Sequence, residues 1–341
     1  MTFELTLDEA TTAAAVAAPA GARPVYAALD LGTNNCRLLI ARPQGGRGFR
    51  VIDAFSRIVR LGEGLSRTRC LSEAAMQRAI SALRVCGLKL ERRGVTAVRA
   101  VATEACRRAD NCSDFVDRVR DETGIRIEII SSAEEARLAV AGCAPLLDPY
   151  RPRALVFDIG GGSTELMWLE VDRCGRPRLI DQISVPHGVV CLAEQYGGDL
   201  VPPATYRAMV GEVVASLAAF EARNDIRASV GAGWVQMLGT SGTVTTLAGI
   251  HLGLPRYERA LVDGSHLDLS DARAVISRLL ELDCAGRAAF PCIGQERADL
   301  VLAGCAVLDA ITELWPVVRL RIADRGLREG ILFDLIVGSR A

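Results

Sequence analysis

The chain predicts an α/β protein built as two domains of related topology, and three observations carry that expectation. Its 341 residues, 50% of them hydrophobic, are enough to bury a substantial core and to split into two domains. Strand-like and helix-like segments alternate, with 32 glycines and only 5% aromatic residues, a pattern that fits layered α/β structure better than a β-sandwich. The segment "ALDLGTNNCRLLI" around Asp30 returns as "LVFDIGGGSTELM" around Asp158, and such self-similarity marks two copies of one topology.

The elements follow in order. Residues 1–24 are Ala-rich, with Glu4, Asp8 and Glu9 and no basic residue before Arg23; they read as a disordered tail, not a secretory or organelle signal. Strand-like 25–31 and 36–43 flank "GTNN", a hairpin by its turn residues, and 49–62 extends the sheet. Residues 72–94 read as a helix capped by Ser72 and stopped at Gly94. A strand (97–103), a helix (111–124), a strand (125–131) and a helix opening "SAEEARLAVAGC" complete a first domain over 25–148. Two prolines in 146–153 mark the boundary to a second domain over 152–326. Its elements are the hairpin 154–171, a helix at 202–224 and a strand, glycine turn and helix start within 234–250. Helices at 269–282 and 296–315 follow. The chain closes as strand, turn and helix, and the helix in 327–341 is expected to pack back on the first domain.

Charge and cysteine usage exclude several classes. The formal net charge is −1, so no basic excess points to a nucleic-acid partner. Eleven scattered cysteines with no C-x-x-C pair, and only three histidines, read as reduced thiols in a cytoplasm and not as disulfides or zinc ligands. No apolar run approaches the ~20 residues that span a bilayer, so no membrane partner is expected.

Three glycine-rich turns stand out: "DLGTNN" (30–35), "DIGGGST" (158–164) and "GTSGT" (239–243). Glycines at strand turns let successive backbone N–H groups face one concavity, an anion nest that side chains would block. Plain tight turns are the alternative, but three loops, two of them internal copies, read as phosphate-binding. A two-residue turn at Gly161 and Gly162 sets Asp158 opposite Glu165, with Cβ atoms ~5 Å apart. Facing carboxylates repel unless a cation lies between them, and Mg²⁺, held by one or two carboxylates with water and phosphate oxygens, is the natural candidate. The same register sets Arg37 opposite Asp30, as a cross-strand ion pair or as a phosphate-facing group.

Seven segments then occur in one order across residues 26–333: "ALDLGTNNCRLLI", "VATEACR", "IEIISSAEEARLAVAG", "LVFDIGGGSTELM", "SVPHGVVCLAEQY", "LGTSGTVTTLAGI" and "GLREGIL". Together they resemble the exopolyphosphatase/guanosine pentaphosphate phosphohydrolase family, within the superfamily of actin, sugar kinases and heat-shock chaperones. The resemblance implies two ribonuclease-H-like domains around an interdomain phosphate-binding cleft. It implies Glu135 as catalytic base, Asp158 and Glu165 as metal ligands, and Arg107 as a grip on the phosphate chain. Phosphate-binding segments follow at Gly32, Thr33, Asn34 and Asn35; at Gly160, Gly161, Gly162 and Ser163; and at Thr240, Ser241, Gly242 and Thr243. Glu134 and Glu135 both sit in a first helical turn, where acids meet the helix dipole favourably; the family position selects Glu135. His187 in "VPHG" is left out as a structural turn residue. Long members of the family carry a further helical module, whereas eight residues follow "LREGILF" here, so the likeness is to a short two-domain form.

The expected activity is Mg²⁺-dependent release of terminal phosphate from inorganic polyphosphate, with guanosine pentaphosphate as a second substrate and a homodimer left open. An ATP-dependent kinase or ATPase of the same superfamily and a non-catalytic polyphosphate or alarmone sensor are the alternatives.

Overall fold

The structure, a computed structural model, describes residues 24–45 and 48–339; the tail expected before Pro24 lies outside them. In the first sheet, β1 (Tyr26–Leu31) pairs antiparallel with β2 (Asn35–Pro43), which pairs antiparallel with β3 (Phe49–Ile58). β4 (Ala97–Ala102) runs parallel to β1 and β5 (Ile127–Ile129) parallel to β4, giving the order β3-β2-β1-β4-β5. The second sheet repeats this order with β6 (Arg153–Ile159), β7 (Thr164–Val171), β8 (Pro177–Val185), β9 (Val235–Thr240) and β11 (Arg319–Ala323). A short edge strand, β10 (His266–Asp268), is added beside β11.

β1 and β6 are central strands covered on both faces, which is why they read as near-continuous apolar runs. Helix Glu73–Arg92 starts where the Ser72 hydroxyl accepts from the Ala75 amide at 3.2 Å. It lays Ala79, Ile80, Leu83 and Cys86 on the front of the first sheet, beside Phe115 and Val119 of helix Cys112–Thr123. On the second sheet the same layer is made by helices Pro203–Asn224, Gly242–His251, Leu269–Leu280 and Val301–Leu314. Phe220 meets Trp315 edge-on there at 6.2 Å.

The back faces are covered by exchanged helices. Helix Ser132–Cys143 follows β5 of the first sheet but packs Ala136, Ala139, Val140 and Cys143 on Ala154, Val156, Met167 and Leu169 of the second. Helix Leu327–Gly338 follows β11 of the second sheet but packs Ile331, Leu332 and Ile336 on Tyr26, Ala28, Leu39 and Ala41 of the first. These two helices touch backbone to backbone. A Cβ at Gly142 would fall on the Gly326 carbonyl, and one at Gly330 on the Leu138 carbonyl. Across the front of the cleft, Arg60 forms a bidentate pair with Asp299 at 2.9 and 3.0 Å. Glu194 accepts from the Gly64 amide and the Ser66 hydroxyl, both at 2.8 Å.

Some elements differ from the sequence reading. β8 and β10 were not anticipated, because an edge strand open to solvent lacks a buried face: Leu179 and Ile180 of β8 are exposed. The register also slips at Trp168/Leu169, which breaks the alternation. The helix expected from 296 begins at Val301. Residues ahead of it are held in turns by the Arg60–Asp299 pair, by an Arg60 bond to the Glu296 carbonyl at 3.1 Å, and by close packing of Gly198 on the Asp299 backbone.

The exchanged helices give a direct test. Ala is the better helix former, so Gly211→Ala, in the open middle of helix Pro203–Asn224, should stabilise by about 0.5–1 kcal/mol. Gly330→Ala has the same intrinsic gain but forces a methyl into backbone, and should instead destabilise by about 1–3 kcal/mol. Urea unfolding of both variants checks the pair; equal effects would remove the helix contact as a constraint.

Candidate functional site

Loops leaving the C-terminal ends of β1, β6, β9 and β11 converge on one cavity between the two sheets, the place where such sheets bind ligands. All the residues expected from the three glycine turns line it: Gly32, Thr33, Asn34, Asn35 and Arg37; Gly160 to Ser163; and Thr240 to Thr243. Asp158, Glu165 and Glu135 line it too. Arg107 does not.

The Gly160 amide donates to the Ser163 carbonyl at 2.9 Å, leaving Gly161 and Gly162 at the tip. Asp158 therefore pairs in register with Glu165, as Asp30 does with Arg37. Neither tip glycine has a left-handed φ, so turn geometry does not demand them. Contact does. A Cβ on Gly161 would lie 3.0 Å from the Thr33 Cβ and 3.1 Å from the Asn34 amide, and one on Gly162 2.6 Å from the Thr33 hydroxyl. A Cβ on Gly188 would fall on the Gly161 carbonyl from the other side. The glycine run lines the cavity and is also the seat on which the first domain's loop rests.

Ser241 shows the opposite economy. It holds φ 79°, ψ −172°, a region that costs a non-glycine residue roughly 1–3 kcal/mol and recurs at functional sites. Its hydroxyl donates to the Ile159 carbonyl at 2.5 Å, tying the third loop to the second.

Burial raises the pKa of four of the carboxylates that line the cavity. Burial pushes Asp158 up to about 6 against the pull of Arg37, and burial together with Asp158 pushes Glu165 up to about 7. Glu165 Oε1 accepts from Ser163 at 2.5 Å and Ser184 at 2.9 Å, which leaves Oε2 uncommitted. Burial raises Asp30, and burial with nearby Glu165 raises Glu135 well above the usual carboxylate range. Glu135 and Glu134 are thereby told apart. Burial pushes Glu134 up, but Arg137 at 2.7 Å and Arg99 at 2.9 Å outweigh it and hold it low, in an ion-pair network outside the cavity.

Arg107 lies behind Glu135. It donates to Glu135 Oε2 at 2.7 Å, to the Ile130 carbonyl at 3.0 Å and to Glu104 at 2.9 Å, so its guanidinium is spent on protein acceptors. Arginines with free guanidinium groups are found elsewhere. Arg37, Arg297 and Arg328 line the cavity and their guanidinium groups make no hydrogen bond or ion pair among the described residues, whereas Arg325 is paired with Asp263. Arg297 and Arg328 were missed in the sequence, as were Thr103, Glu104, Asp324 and Glu329. Arg328 sits in the quoted "GLREGIL", but nothing in one sequence distinguishes its arginine from a solvated one. His187 stays outside the cavity: its Nε2 meets the Ser216 hydroxyl at 2.6 Å and its carbonyl accepts from Thr164 at 2.8 Å. No disulfide joins the cysteines, and among the described residues no helix is long and apolar enough to cross a membrane.

Comparison with known proteins follows the same outline. The chain is 30% identical over 313 residues to a guanosine-5'-triphosphate,3'-diphosphate pyrophosphatase of Aeromonas hydrophila, covering 92% of this chain but only 60% of that relative's length. It superposes on a crystal structure of an exopolyphosphatase from Cytophaga hutchinsonii with a TM-score of 0.82 and 25% identity, covering 92% of this chain and 98% of that one. A Ppx/GppA protein of Aquifex aeolicus gives a TM-score of 0.75 at 27% identity, covering 93% and 99%. Both sheets thus take the actin-like arrangement. Residues 39–337 match the Ppx/GppA phosphatase family, and the chain belongs to it.

Proposed function

We propose that the protein is a divalent-cation-dependent phosphohydrolase that releases terminal phosphate from inorganic polyphosphate and from guanosine pentaphosphate. The observation that supports this most is the divided charge of the cavity. Three guanidinium groups without partners face four carboxylates whose ionisation burial opposes. An anion suits the first set and a cation the second, and a phosphate chain with a hard metal ion supplies both.

Asp158 and the free Oε2 of Glu165 are the residues that would hold Mg²⁺. Among the described residues no closed cluster of three His, Cys, Asp or Glu side chains exists, so the donor set suits an ion completed by water and phosphate oxygens. When bound, Mg²⁺ neutralises charge on the phosphoryl oxygens. Loop amides at 33–34, 161–163 and 241–243, with Arg37 and Arg297, hold the phosphates. Glu135 takes the proton of the attacking water, and Arg107 fixes one of its oxygens so that the other is presented. Ile293, Leu300 and Val301 give the cavity one apolar wall, which a bare phosphate chain would not use and a nucleoside would. This supports guanosine pentaphosphate as a substrate beside polyphosphate.

Phosphate release from each substrate, with and without Mg²⁺, tests the reading; no release from either under any metal condition would sink it, and tight binding without product would mark a sensor. Glu135→Gln keeps the shape but cannot accept the proton, so kcat should fall about 10²–10⁴-fold with substrate binding retained. Glu165→Gln should raise the Mg²⁺ concentration needed for half activity; an unmoved titration curve would refute the paired-carboxylate site. Arg107 lowers the pKa of Glu135, which acts deprotonated. Arg107→Gln should therefore move the acid limb of the rate–pH profile to higher pH, and a limb in its original place would detach Arg107 from the base.

A further inference from the structure

Arg328 has no role in that reaction scheme, and its surroundings call for one. It is the second residue of helix Leu327–Gly338, whose start is pinned to both domains. The Gly326 amide donates to Glu329 Oε2 at 2.9 Å, the Thr240 hydroxyl to the Arg325 carbonyl at 2.7 Å, and Gly330 abuts the Leu138 carbonyl. The side chain therefore projects into the cavity from a fixed base.

Its neighbours do not satisfy it. Glu329 is held by the Gly326 amide and by Arg259 at 2.7 Å. Asp324 accepts from the Tyr257 hydroxyl at 2.7 Å. Asp30 is the remaining carboxylate whose charge reaches Arg328, and it is shared with Arg37 and hydrogen-bonded to neither among the described residues. A guanidinium carries five donors, and withdrawing it from water without acceptors is costly. Burial accordingly pushes its pKa down.

The cavity has two ends. Glu135 opens the helix laid on the second sheet and Arg328 opens the helix laid on the first, and both side chains line the cavity between the sheets. The two residues thus enter the cavity from helices that belong to opposite sheets. In an in-line displacement the leaving oxygen departs opposite the attacking water.

We propose that Arg328 is a phosphate-contacting residue that binds the leaving phosphate and neutralises the charge it gains. Water forms the new P–O bond while Glu135 takes its proton, the bridging P–O bond breaks, and the electron pair passes to an oxygen of the penultimate phosphate facing Arg328. This assignment rests on the phosphohydrolase reading above.

Thermal unfolding of the full chain, with and without inorganic tripolyphosphate and with no divalent cation, separates the two. The parent should melt higher with tripolyphosphate; Arg328→Gln should melt at or above the ligand-free parent and lose that shift. With Mg²⁺ and polyphosphate, its kcat should fall about 10²-fold, the scale of one lost donor to developing charge, with KM changed less and Arg328→Lys recovering part. A parent that does not shift overturns the phosphate-cavity reading and this proposal with it. A parent that shifts while Arg328→Gln shifts equally overturns only the Arg328 assignment. So does an Arg328→Gln protein that melts lower and is restored by adding Asp30→Asn, since Arg328 is then an internal counter-ion.

Discussion

The architecture depends on one close contact: helices Ser132–Cys143 and Leu327–Gly338 cross with their backbones touching at Gly142, Gly326 and Gly330. Each helix leaves one sheet and covers the back of the other, so the domains cannot be assembled independently of the crossing. The first turn of one helix carries Glu135 and the first turn of the other carries Arg328, and both residues reach the cavity. The crossing thereby sets the distance between the two ends of the site. Side chains at the crossing would push the helices apart and move Glu135 and Arg328 relative to each other.

Burial opposes the charge of four carboxylates that line the cavity. Asp30, Asp158, Glu165 and Glu135 are drawn together where burial already opposes their charge, and three arginines stand without acceptors. The surrounding structure offsets this with ion pairs that are complete: Arg325 with Asp263, Arg259 with Glu329, Arg137 and Arg99 with Glu134. Of the charges that line the cavity, Arg325, Glu329, Glu104 and Glu135 have partners within the chain, whereas the guanidinium groups of Arg37, Arg297 and Arg328 have none among the described residues. That division, more than the identity of any one residue, separates the site from the rest of a charge-rich surface.

The cleft is drawn shut at its front by Arg60 on Asp299 and by Glu194 on the 64–66 turn, and at its depth by Thr33 and Asn34 resting on Gly161 and Gly162. The glycine run is thus asked to do two things. Its amides line the cavity, and its missing side chains admit the opposing loop. The second demand explains Gly161 and Gly162, where ordinary φ values require no glycine, while at Gly160 a Cβ would lie 2.9 Å from the Ser163 carbonyl of the same hairpin.

Much of this was legible in the residues. The repeat around Asp30 and Asp158 foretold two sheets of one topology, because the same local pattern folds into the same hairpin wherever it occurs. The registers Asp30 with Arg37 and Asp158 with Glu165 followed from hairpin counting alone, since alternate strand residues share a face. The exchange of the two back helices was only half visible: the likeness to known proteins suggested that the last helix returns to the first domain, but nothing suggested that Ser132–Cys143 crosses to the second. The edge strand β8 was invisible because its exposed run at 178–180 and the register slip opposite Trp168/Leu169 leave no alternation, and β10 because three residues carry no period. Arg107 was expected against phosphate and is instead spent on Glu135 and Glu104, while Arg297 and Arg328 carry the free charges. An arginine's role depends on which acceptors the fold brings within reach, and those acceptors lie far away in the chain. The sequence by itself determined the glycine turns and their local register; only the tertiary structure decided which charges they would meet in the cavity and which of those would be left unpaired, because the partners come from distant parts of the chain.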